Sequence, residues 1–244
     1  MPALHSQSAD QNPTSSPAGT SAQGRALLRS SPLFSHLDDA EADAILADAR
    51  VEHYPEGTQV FANGDPGDSM MAVLHGRVVI SNPSPDGRPL VLTIFRDGDV
   101  FGEMALLDGK KRSADATASA ECKLLVVPRR SLLRLLQQRP DVCIELMVVL
   151  CGRLRRTNEQ VEDFAFLGLE RRMAKLLLHL TQDASDRSAP RPELKISQRV
   201  LGELVGATRE NINRQLHDWK RSGIIAVGNG SIQICDREAL ADLV

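Results

Sequence analysis

The chain has 244 residues, 29 Lys+Arg against 32 Asp+Glu, and 42% apolar residues, material for one large domain or two small ones with proper cores. No stretch approaches the roughly 20 apolar residues of a membrane span, and residues 1–5 have neither the basic start nor the apolar core of a secretory signal. Cys122, Cys143, Cys151 and Cys235 form no CxxC pair and no disulfide framework, so a soluble protein of the reducing cytoplasm is expected.

Residues 1–23 are rich in Ser, Gln, Ala, Pro, Gly and Thr, with almost nothing to bury, and read as a disordered tail. A sensor domain is expected over 24–139. Within 37–50, Ala42, Ile45, Leu46 and Ala49 fall at helical spacing, with Asp38 and Asp39 where a helix start favours acids. Leu33 and Phe34 are placed to pack under that first turn. Between 51 and 128 short β-rich runs (59–61, 71–74, 77–80, 90–94 and 123–127) alternate with turn signals such as Asn63-Gly64-Asp65 and Asp97-Gly98-Asp99. Strands at that spacing indicate a sandwich or barrel, and a two-sheet jelly roll is the choice. A short helix over 131–138 stops at Pro140.

A long helical pattern follows, and residues 140–168 read as a dimerisation helix and hinge. Met147, Cys151, Leu154, Asn158, Val161, Ala165 and Gly168 step by alternating fours and threes, a heptad seam that fits a parallel contact between two identical subunits. Asn158 sits on the seam, where a lone polar residue costs stability and fixes register. From 169 to 244 a compact helical domain is expected: a helix over 169–181, a polar loop over 183–192, two short helices and a hairpin. This part carries 12 basic and 10 acidic residues against 17 and 22 in residues 1–168, so the two parts suit different partners. The class is therefore α+β: an N-terminal β jelly roll, a long helix and a C-terminal winged helix-turn-helix.

The informative stretch of the β-domain is Phe101-Gly102-Glu103-Met104-Ala105-Leu106-Leu107-Asp108-Gly109-Lys110-Lys111-Arg112-Ser113-Ala114. It interrupts the strands with one helical turn over 103–107. Gly102 lets the backbone come close to a ligand, and the free N–H groups of the turn carry positive partial charge. Arg112 offers a guanidinium fork for a phosphate and Ser113 a hydroxyl donor. Glu103 beside a phosphate makes sense if it accepts from a sugar hydroxyl. Together these parts describe a site for a cyclic sugar phosphate, whereas Lys110-Lys111-Arg112 alone would be a solvated charge run.

At the other end Ser197 caps a helix over 197–205, Gly206-Ala207 turn, and Thr208 caps a second helix over 209–221 with Ile212, Leu216 and Trp219 inward. Residues 224–227 and 231–235 read as a hairpin wing. The exposed start of the second helix carries Arg209, Glu210, Asn213 and Arg214, residue types that read guanine, cytosine and adenine edges in a major groove. Glu210 and Arg214, spaced i,i+4, also fit a plain surface ion pair.

Gly102-Glu103 followed by Arg112-Ser113, on a jelly roll with a long helix after it, resembles the cyclic-nucleotide-binding domain. The chain over roughly residues 30–235 resembles the Crp/Fnr family of bacterial transcription regulators, most strongly at this cassette and at the run Arg153, Thr157, Val161, Ala165-Phe166-Leu167 and Arg172. The resemblance implies that Arg112 and Ser113 hold the cyclic phosphate and Glu103 the ribose hydroxyl. It places Gly102, Met104 and Arg153 in the ligand site and gives Thr157 and Asn158 the base contacts. Asn158 stands where the family's best-known members have Ser, which leaves nucleotide identity open: cyclic AMP is favoured, with cyclic GMP and cyclic di-GMP as alternatives. It further implies a DNA-binding recognition helix that starts at Thr208, with base contacts from Arg209, Glu210 and Arg214, phosphate contacts from Ser197 and Arg199, a homodimer on palindromic DNA, and contact with RNA polymerase. Asn213 departs from the small residue of the family's best-known member.

The family's oxygen sensors hold an iron–sulfur cluster through N-terminal cysteines, and here no Cys precedes Cys122. His36, His53 and His75 are scattered, so no metal or haem is expected, and no catalytic constellation marks an enzyme. The expected mechanism has nucleotide at the seam extending or rotating the long helix near 165–168, with Gly168 as a loose hinge. A rival from another class is a nucleotide-sensing interaction module acting on a protein partner; a family member that has lost its nucleotide is a second alternative.

Overall fold

The computed structural model describes residues 13–19, 22–83, 89–182, 193–228 and 230–244. The chain divides into two compact units, Met1–Asn82 with Leu92–Val149 and Pro83–Val91 with Leu150–Val244. In order come β1 (Thr14–Pro17), α1 (Ala22–Arg29), a 3-10 turn (Pro32–Phe34), α2 (Asp39–Leu46), β2 (Arg50–Tyr54), β3 (Gln59–Phe61), β4 (Ser69–His75), β5 (Arg77–Pro83), β6 (Pro89–Arg96), β7 (Val100–Phe101), α3 (Glu103–Asp108), β8 (Asp115–Ala118), β9 (Cys122–Pro128) and α4 (Arg129–Gln138). The strands form two sheets, β1-β2-β9-β4-β7 and β3-β8-β5-β6.

One core lies between these sheets. Tyr54, Met71, Val73, Phe101, Leu124 and Val126 from the first meet Val78, Phe95, Ala116 and Ala118 from the second. This is the two-sheet architecture the strand spacing predicts. The continuous apolar run of β9 has its own cause: Leu124 and Val126 face the sandwich, while Leu125 and Val127, on the opposite face, are just as buried. Leu33 and Phe34 are buried as expected.

Three expectations need correction. Residues 14–17 are not part of a disordered tail: β1 pairs antiparallel with β2, Thr14 opposite His53 and Pro17 opposite Arg50. All four β1 side chains are exposed, so the strand is held by backbone pairing to an edge, which composition does not register. Residues 22 and 23 already belong to α1, and 1–12, 20 and 21 lie outside the described residues. The helix expected over 37–50 is shorter, running Asp39–Leu46 behind an Asp38–Glu41 capping box. The Ala49 N–H still donates to the Ile45 carbonyl at 3.1 Å, which carries the apolar period past the helix end before Arg50 opens β2. Finally, α4 begins at Arg129 rather than 131, directly after Pro128, with the Ser131 hydroxyl donating to Asp48 at 2.7 Å.

The long helix α5 (Pro140–Phe166) starts on its proline, where a missing N–H costs nothing. Its seam residues Met147, Leu154 and Val161 are all more than half exposed. After it come α6 (Leu169–Gln182), β10 (Glu193–Lys195), α7 (Gln198–Val205), α8 (Arg209–Arg221), β11 (Ile225–Val227), β12 (Ser231–Ile234) and α9 (Arg237–Ala241). The polar loop expected over 183–192 lies outside the described residues. The second unit's core joins Met173 and Leu177 of α6, Leu201 and Val205 of α7, Ile212, Leu216 and Trp219 of α8, and Ile232 and Ile234 of β12. The wing is a three-stranded sheet, β10-β12-β11, with one strand more than the sequence reading supplies. Among the described residues no helix is long and apolar enough to cross a membrane.

Candidate functional site

β7 ends at Phe101, and Gly102 turns the chain into α3 at φ 80° and ψ 4°. A Cβ at this position would lie 2.6 Å from Nη1 of Arg112 and 3.4 Å from the Ser69 carbonyl oxygen, so glycine is required for space as well as for the left-handed backbone. Arg112 is 4% exposed. Its Nη1 donates to the Gly102 carbonyl at 2.7 Å, and Nη2 to the Ser69 carbonyl at 2.8 Å and the Ser69 hydroxyl at 3.2 Å. The guanidinium lies 4.3 Å above the Phe61 ring. The backbone is fastened too: Arg112 N–H donates to Asp65 and Gly64 N–H to Arg112, both at 2.9 Å.

Through its fork and its backbone together, Arg112 therefore ties β4, the entry to α3 and the 64–65 turn into one knot. Its Nε is buried and has no hydrogen-bond partner among the described residues. A donor left so costs on the order of 1–3 kcal/mol, and an anion would relieve that cost. Burial pulls the Arg112 pKa below its ordinary value, opposed by the carboxylates of Asp68, Glu103 and Asp65. Glu103 is buried in the first turn of α3, while Met104 and Ser113 lie at the surface. Ser69 and Phe61 were not singled out in the sequence. Ser69 acts partly through its carbonyl, which no motif encodes; Phe61, one of only six Phe, carried a weak signal.

Arg153, Thr157 and Asn158 lie on the later part of α5, in the second unit. Arg153 is half-buried; Thr157 and Asn158 are exposed, and the Thr157 hydroxyl donates back to the Arg153 carbonyl at 3.1 Å.

The helix-turn-helix forms as its caps dictate. The Ser197 Oγ accepts from Val200 N–H at 3.2 Å and the Thr208 Oγ1 from Asn211 N–H at 3.3 Å. Ile212, Leu216 and Trp219 face inward, leaving Arg209, Glu210, Asn213 and Arg214 on the exposed side of α8. Ser197, Arg199 and Arg209 converge with Gly228, Gly230 and Ser231 of the wing around a cavity of about 330 Å³. Arg199 pairs with Glu203 at 2.7 Å. Behind the exposed face, Glu170 of α6 accepts from Gln215 Nε2 at 3.2 Å and Trp219 Nε1 at 3.3 Å. Glu170 is a supporting residue that sequence reasoning missed, because its partners lie 45 and 49 positions away. Among the described residues no group of three His, Cys, Asp or Glu side chains could hold a metal ion.

Comparison with known proteins accounts for both ends of the chain. Residues 51–139 match the cyclic nucleotide-binding domain and residues 171–243 the Crp-like helix-turn-helix domain. A CRP-like cAMP-activated global transcriptional regulator of Mycobacterium tuberculosis is 34% identical over 217 residues, covering 88% of this chain and 97% of the relative. This chain belongs to the Crp/Fnr family of transcription regulators. A cyclic AMP receptor protein of Thermus thermophilus is 31% identical over 216 residues, 88% of this chain and 98% of that one. Among solved structures, the c-di-GMP responsive global regulator CLP of Xanthomonas campestris superposes with a TM-score of 0.72 at 27% identity, covering 81% of this chain and 99% of that chain. This Crp/Fnr member is thus a cyclic-nucleotide-binding, DNA-binding transcription regulator of a non-enzymatic family.

Proposed function

We propose that this regulator is a homodimer that binds cyclic AMP in the Arg112 cradle and, when liganded, reads a palindromic promoter site. The observation that carries the reading is the buried guanidinium of Arg112, braced on Gly102 and Ser69 through Nη1 and Nη2 while its Nε has no partner among the described residues. Arg112 and Ser113 are assigned the cyclic phosphate, with Glu103 taking the ribose hydroxyl. The base-contacting roles of Thr157 and Asn158, and the places of Met104 and Arg153, rest on the family resemblance. Two relatives above 30% identity are named for cAMP, which supports that nucleotide.

The dimer is supported by the exposed seam of α5, whose Met147, Leu154 and Val161 would be covered by a second copy. Two copies related by a twofold axis present α8 to successive major grooves about 34 Å apart, with Arg209, Glu210, Asn213 and Arg214 reading bases and Ser197 and Arg199 on phosphates. Ligand favours this form only by binding it more tightly than the alternative. Contact with RNA polymerase belongs to the same proposal.

The c-di-GMP responsive regulator of Xanthomonas campestris supports a second reading, in which that larger nucleotide is the signal. Calorimetric titration of the purified protein with cyclic AMP, cyclic GMP and cyclic di-GMP separates them. Saturable heat with cyclic AMP, absent from an Arg112→Ala variant, is the expected result. Tighter binding of cyclic di-GMP would replace the first reading with the second.

A further inference from the structure

Within the second unit, the last turn of α5 is fastened to the DNA-reading head. The Phe164 ring lies against Gly206, the residue that turns α7 into α8: a Cβ there would stand 2.7 Å from Cε1 and 3.2 Å from Cζ of the ring. Gly206 caps α7 at φ 67°, so the ring packs on a bare backbone that other residues rarely adopt. The Arg172 guanidinium of α6 sits 5.1 Å from the centroid of the same ring, and its Nη1 donates to the Leu167 carbonyl at 2.9 Å. Lys175 Nζ meets Asp163 Oδ1 at 2.7 Å.

These links span the very segment, 165–168, in which the sequence places a loose hinge. Phe164 is nonetheless 45% exposed and stands outside the buried cluster of its unit, so its packing is not what holds that core together. We infer that Phe164 is a positioning residue of the reading head: it locks the end of α5 to the turn of the helix-turn-helix, so these parts move as one body. The inference rests on the proposed dimeric, palindrome-reading function, because locking matters where the separation of two heads must be fixed.

The test uses the full-length protein and synthetic palindromes whose half-sites are kept or moved apart by one and two base pairs. Wild type should prefer one spacing. Phe164→Ala should lose about tenfold of that preference while still distinguishing correct from scrambled half-sites, and Phe164→Tyr should keep it. Gly206→Asn, which tolerates the left-handed backbone but places a Cβ in the ring's position, should reproduce the loss. Combining it with Phe164→Ala should add nothing further. Hydrogen exchange at the 163–172 amides, with neither DNA nor nucleotide present, should quicken at least tenfold in both single variants. An unchanged spacing preference in Phe164→Ala overturns the inference. If wild type shows no spacing preference at all, the proposed function fails, and the exchange result alone decides whether the lock exists.

Discussion

Arg112 illustrates how one side chain can brace a candidate site it does not complete. Three of its donor contacts are spent on Gly102 and Ser69, and only a planar, forked cation can make them while keeping Nε available. Lysine supplies the charge without the fork. Arg112→Lys should therefore weaken nucleotide binding by about 10–100-fold, roughly 1.4–2.8 kcal/mol, in a calorimetric titration. Full retention of affinity would mean that charge alone suffices. On the reading head, Arg209 is exposed at the start of α8 and lines the cavity beside the wing. Arg209→Ala should cost ~1–3 kcal/mol of specific DNA affinity and leave nucleotide binding intact. Equal losses on random and operator DNA would contradict base reading. Both residues were legible in the sequence because their neighbours form short local motifs; Ser69 and Glu170 were not, since each acts on a residue more than forty positions away.

Among the elements, those defined by local chemistry matched their sequence signals closely. Ser197 and Thr208 cap α7 and α8 as read, and the inward stripe of α8 is the buried one. β1 escaped notice because it buries no side chain, and β8 because Asp115 to Ala118 lacks bulky residues; both are held by pairing to partners distant in sequence. The seam of α5 is the opposite case: the period is plain in the sequence, yet its apolar residues are exposed on the single chain. If a second copy covers them, one charge per helix placed at the seam must be desolvated against its symmetry mate. Val161→Glu should shift the protein toward monomer in sedimentation at micromolar concentration and reduce binding to a full palindrome more than to a half-site. An unaltered dimer would put the contact elsewhere. The support behind α8 is separable from its reading face: Glu170→Ala should red-shift emission of Trp219, the only tryptophan of the chain, whereas Glu170→Gln, which keeps an acceptor, should not.

For the molecule as a whole, acid should act first on the unit that holds the cradle. Arg139, at the junction of α4 and α5, bonds Glu41 at 2.6 Å and Asp141 at 2.6 Å, joining the capped start of α2 to the start of α5. That guanidinium holds the Asp141 carboxyl down at about 2. The Ser131 hydroxyl, with Arg130, holds Asp48 below the ordinary carboxylate range, and Arg29 with Arg25 does the same for Asp39. In each case the folded value lies below the unfolded one, so the stabilisation is complete above the ordinary carboxylate pKa of about 4. It is lost as pH falls toward the folded values, a window that for Asp141 runs from about 4 to about 2. Thermal melts across that range should show falling stability as acid is added, with the loss shared among exposed pairs and therefore smaller in high salt. Arg139→Leu should lower the melting temperature at neutral pH and flatten the acid limb, because Asp141 would then titrate near its ordinary value in both states. A limb of unchanged steepness in that variant would show that the acid sensitivity arises elsewhere, and that the α2–α5 junction does not set the pH tolerance of the cradle's unit.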